Sequence, residues 1–73
     1  MYLVRSDAYA QGAADCRVDL AELPLLEVES LGRTLRELAA TKWRHEPRTR
    51  AKALGYCREL RRLEPLASRR APR

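Results

Sequence analysis

The chain has 73 residues, a formal net charge of +5 and charged side chains at 34% of its positions. That length holds one small domain with a thin core and excludes a second core or a large insertion. Phenylalanine is absent, so leucine must supply most of the core, helped by Trp43 and three tyrosines.

The charge is unevenly spread. Residues 1–31 hold two basic side chains against six acidic ones, a net −4, and residues 32–73 hold thirteen against four, a net +9. An acidic half followed by a basic half points to nucleic-acid contact or to a two-faced adaptor; equally, the acidic segment can fold back on the basic helices. Cys16 and Cys57 lie far apart and would make one disulfide only in a secreted chain. The opening residues 1–7 contain no apolar run of signal-peptide length. No stretch approaches the ~20 apolar residues of a membrane span. The expectation is a cytoplasmic protein with two reduced, structural thiols.

Taken in order, Tyr2-Leu3-Val4-Arg5 is apolar and favours a strand. Residues 6–15 show no clear period and read as a loop, with room for a helical turn. Cys16, Val18 and Leu20 alternate with charged residues, a period-two pattern that would let residues 16–20 pair with 2–5 as a small β-ribbon. In the next segment Pro24 can start a helix, or Ser30 can cap one beginning at Leu31, so the helix start falls between Leu25 and Ser30. Val28, Leu31, Leu35 and Leu38 then follow at helical spacing. Proline at 47 ends that helix near residues 44–45 and opens a second one. At about 100° per residue, Ala53, Tyr56, Cys57, Leu60 and Leu63 share one arc of the second helix, with cations over the rest and Glu59 as their one acid. Pro65 is expected to stop it.

The predicted fold is therefore mainly α: a two-helix hairpin, with an N-terminal arm whose short β-ribbon would make the class α+β. One small domain spans 1–64, comprising an arm over 1–24, a helix over about 28–45 and a basic helix over 47–64. Residues 65–73 form a flexible, disordered basic tail.

The residue inventory argues against an enzyme. The one histidine, His45, sits beside a proline turn, and a nucleophile–base pair would need Cys16 or Cys57 brought to it. Neither cysteine has the paired spacing of a zinc site, and the glycines at 12, 32 and 55 form no phosphate loop. No catalytic, metal or cofactor site, and no small-molecule substrate, is expected. Binding is the alternative. Arginine forks suit phosphates, and Arg48, Arg50, Lys52, Arg58, Arg61 and Arg62 on the second helix are candidates for nucleic acid or an acidic protein surface. Tyr2, Leu3, Val4 and Arg5 are candidates for contact with a partner protein. Trp43 is either core or an exposed anchor, and Leu54 lies within the basic arc.

In its length and in the runs Leu35-Arg36-Glu37-Leu38-Ala39-Ala40 and Arg58-Glu59-Leu60-Arg61-Arg62, the chain resembles the small RNA-polymerase-binding transcription regulators of lytic Xanthomonas phages. The resemblance implies a non-enzymatic mechanism in the host cytoplasm: docking on the β′ subunit of host RNA polymerase, inhibition of initiation, and antitermination together with NusA beside the nascent RNA. No motif carries a known contact residue onto a numbered position. On this expectation, charge reversal at Arg58, Arg61 and Arg62 abolishes antitermination and leaves the fold intact. The runner-up is a small helix-turn-helix-like DNA-binding regulator using residues 47–63, followed by a ribosome-associated basic protein.

Overall fold

A computed structural model describes the backbone of residues 2–70 and the side chains of residues 7–67. It contains three helices, α1 (Tyr2–Glu22), α2 (Leu25–Ala40) and α3 (Pro47–Arg70), and no strand among the described residues. The mainly α expectation holds in this coarser form; the β-ribbon arm does not, and the two-helix hairpin is replaced by a three-helix domain in which α1 also packs on α3.

Both halves of the expected ribbon lie within α1. Alanines at 8, 10, 13, 14 and 21 favour helix more strongly than any other residue. The alternation of Cys16, Val18 and Leu20 is also dissolved by burial: Cys16 is sealed, Leu20 is half-buried and Val18 is 52% exposed. The face of α1 that packs is made of small residues four apart, Ala8, Gly12 and Cys16, all buried and all on one side of a helix. A search for leucine spacing passes over such a face.

Those small residues let α1 approach α3 closely. A Cβ added at Gly12 would collide with the carbonyl oxygen of Lys52, and one added at Gly55 with that of Tyr9. Each glycine costs its helix about 1 kcal/mol relative to alanine and permits a backbone approach that a Cβ would block. Tyr9 lies by Gly55 and Arg17 reaches Glu59, so α1 and α3 run in the same general direction.

α2 begins at Leu25 behind Pro24, whose carbonyl oxygen accepts from the amides of Glu27 (3.0 Å) and Val28 (3.2 Å). It ends at Ala40, earlier than the predicted 45. There Thr41 turns its hydroxyl back to the Glu37 carbonyl at 2.7 Å, a competition with helix continuation typical of threonine. The Trp43 amide reaches back to the Leu38 carbonyl at 2.8 Å, closing the turn.

α3 begins at Pro47 as predicted, with Glu46 offering its carbonyl to Arg50 at 2.8 Å. It does not stop at Pro65. Proline deprives the helix of one bond, yet the helix runs on to Arg70, so the expected disordered tail is helical through residue 70. Residues 71–73 lie outside the described residues. α2 packs antiparallel on a second side of α3: Cys57 donates from Sγ to the Gly32 carbonyl at 3.2 Å, and Leu60 covers Gly32. The core is Cys16, Val28, Tyr56 and Leu60, flanked by Leu20 and Leu35. α3 is the shared centre, and α1 and α2 scarcely touch each other.

Candidate nucleic-acid interface

The six cations predicted on α3 do not act as one face. Arg62 is tied to Glu59 by contacts of 3.0 and 3.2 Å, and Arg17 from α1 meets the same carboxylate at 2.8 Å. Glu59 is buried and is held down at about pH 2, first by the Arg62 hydrogen bonds and then by the Arg17 bond. The acid read as a lone surface charge is thus the centre of an Arg–Glu–Arg clasp between α1 and α3. Lys52 lies 3.7 Å from Asp15. Tyr56 donates its hydroxyl to Asp19 at 2.6 Å, and burial followed by that bond raises its phenol well above the ordinary value. Part of the acidic half of the chain is therefore matched within the molecule.

Arg50, Leu54, Arg58 and Arg61 share an outward arc of about 80° on α3 at 100° per residue. Arg48 lies around the helix from them, in a shallow groove that it shares with Asp7. Tyr2, Leu3, Val4 and Arg5 are in the opening turns of α1, and their side chains lie outside the described residues.

A groove of about 640 Å³ opens between α2 and α3. Its cations come from both helices: Arg33 and Arg36 from α2, Arg58 and Arg61 from α3. Residues three apart share one side of a helix, so each wall presents a pair. Arg58 also donates to the Tyr9 hydroxyl of α1 at 3.5 Å, a bond that raises the guanidinium pKa further. Arg33, Arg36 and Arg61 have no ion-pair partner among the described residues. The floor is Gly32, Cys57 and Leu60, with half-buried Leu54 at the side. Burial pushes the Cys57 thiol up, and Arg36 and Arg61 pull it part of the way back.

One end of the groove is acidic. Glu29 and Glu64 both line it, and the interaction with Glu29, followed by burial, raises the Glu64 carboxyl above its ordinary value. Glu29 precedes Arg33 on α2, and Glu64 follows Arg61 on α3. Antiparallel helices bring both acids to the same end.

Sequence reasoning found Arg58 and Arg61 but missed Arg33 and Arg36. The i, i+3 spacing of Arg33 and Arg36 off the leucine stripe was the available signal. A second groove, about 480 Å³, is lined by all three helices and takes in Val18, Leu31, Leu35 and Trp43. Trp43 is half-buried there, between the two roles open to it. His45 is exposed in the turn after α2. Among the described residues no three His, Cys, Asp or Glu side chains gather as metal ligands, and no helix is long and apolar enough to cross a membrane.

Comparison with protein-family models, curated proteins and solved structures finds no match for this chain.

Proposed function

We propose that the protein is a non-catalytic transcription regulator that docks on host RNA polymerase at the β′ subunit, inhibits initiation and promotes antitermination with NusA, its arginine groove turned toward nascent RNA. The observation that supports the polyanion part is the gathering of Arg33, Arg36, Arg58 and Arg61 around one concave surface. Four cations facing two acids at one end make that surface attractive to phosphates. The polymerase part draws on the resemblance of the two arginine-rich runs, and the first turns of α1 supply the separate protein contact.

The test is transcription in vitro with purified bacterial RNA polymerase, scored for initiation and for terminator read-through. The wild-type chain lowers initiation and raises read-through, and the Arg58→Glu/Arg61→Glu variant does neither. Arg62 is left unchanged because it pairs within α3 with Glu59, the carboxylate that Arg17 of α1 also grips. Full activity in that double variant would remove the groove from the mechanism. No effect of the wild-type chain on either reaction would remove the polymerase.

A further inference from the structure

We infer that the groove between α2 and α3 is a track for one unpaired nucleic-acid strand, with Arg33, Arg36, Arg58 and Arg61 on its phosphates and Tyr9 as a platform for a base. The track presupposes the polyanion-binding role above and adds to it the form of the ligand and residues from all three helices. Paired guanidiniums on opposite walls match phosphate oxygens, which a planar fork can grip with two bonds. Between those walls lie apolar groups, Leu54, Cys57 and Leu60. A duplex keeps its bases stacked inside and would leave such a floor unused. A single strand can turn its bases onto aromatic and apolar surface while its backbone follows the cations. Tyr9 lines the groove, is half-buried and accepts from Arg58 at its hydroxyl. An acidic protein surface would use the arginines and leave Tyr9 and the floor without a role.

The Glu29–Glu64 pair gives the track an end. Phosphates are repelled there, so the strand must leave the groove beside Arg33 and Arg61 rather than pass between the acids.

Fluorescence anisotropy with a labelled strand of about twelve nucleotides, its duplex form and an acidic peptide tests this on the full chain. The single strand should bind more tightly than the duplex or the peptide. Four phosphate contacts predict a slope of about −2.8 for log affinity against log salt on a single strand. Arg33→Gln combined with Arg36→Gln should flatten that slope by about 1.4, while Arg48→Gln combined with Arg50→Gln, outside the groove, should change it little. Tyr9→Leu should weaken strand binding about five- to 150-fold, the worth of one stacked base, at an unchanged slope. Melting curves confirm that the variants fold. Duplex or peptide binding at least as tight as that of the strand would overturn the track, and so would equal slope changes for the two arginine pairs. Polymerase retained by the Arg33→Gln/Arg36→Gln variant, with no strand bound by the wild-type chain, would overturn the track and leave polymerase docking intact. Strand binding that depends on Arg33 and Arg36, without any polymerase retained, would support the track and remove the polymerase.

Discussion

Glu59 is the residue on which the α1–α3 interface turns, because it is a buried carboxylate held between two guanidiniums. Its pKa is lowered from an ordinary 4.5 to about 2. A carboxyl with a depressed folded pKa contributes stability that is fully present above the unfolded value and lost as pH falls through the folded one. The melting temperature should therefore decline between about pH 4.5 and pH 2, and Glu59→Gln should flatten that decline. Glu64 acts in the opposite sense, since its carboxyl is raised, so the comparison is cleanest in a Glu64→Gln background. An equal acid slope in both chains would mean that the clasp does not stabilise the fold. The thiols offer a second check at this scale. Burial raises Cys16 to about 11 and also raises Cys57, so both should label slowly with an alkylating reagent in the native state. Cys57 should label first, because Cys16 is fully covered. Here the sequence was a partial guide: it marked Cys57 as core filler, and it placed Glu59 on the solvent face because a wheel drawn around the leucines treats every charge as exposed.

Helix packing depends on two glycines and tolerates one proline. Gly12→Ala or Gly55→Ala drives a methyl group into a backbone carbonyl that cannot rotate away. Each should cost about 3 kcal/mol, at the upper end of overpacking, measured as a fall in the urea midpoint. Gly32→Ala should cost much less, because the added methyl meets only the Leu60 Cδ2 at 2.6 Å and helix propensity returns about 1 kcal/mol. Equal losses at all three positions would contradict the close backbone approach of α1 and α3. Pro65→Ala should stabilise the end of α3 by up to about 3 kcal/mol, read as slower amide exchange in residues 66–70. The helix from Pro47 and the α2 start were legible because proline and leucine spacing speak directly to local geometry. α1 was not legible: its packing face is alanine, glycine and cysteine, and its reason for packing lies in a partner helix forty residues away. The run of α3 past Pro65 went against a local rule, and no contact of the described residues accounts for it.

For the molecule as a whole, the centre of the fold is also one wall of the candidate site. α3 is covered by α1 on one side and α2 on another, and its free arc carries Arg50, Leu54, Arg58 and Arg61. Arg58 and Arg61 of that arc face a groove shared with α2. The charge asymmetry of the sequence is legible as a hint and divides in the structure. Lys52 pairs with Asp15 of the acidic half, Glu59 holds Arg17 and Arg62, and four further arginines stay on the groove. Which cations belong to which part depends on contacts between distant segments, so linear order could not separate Arg62 from Arg61. The most direct measurement is co-elution of the chain with RNA polymerase from nuclease-treated bacterial lysate, with the bound subunits identified by mass. A complex containing the β′ subunit that survives nuclease is the predicted result. A chain that elutes alone after nuclease, having carried nucleic acid before it, would contradict polymerase docking.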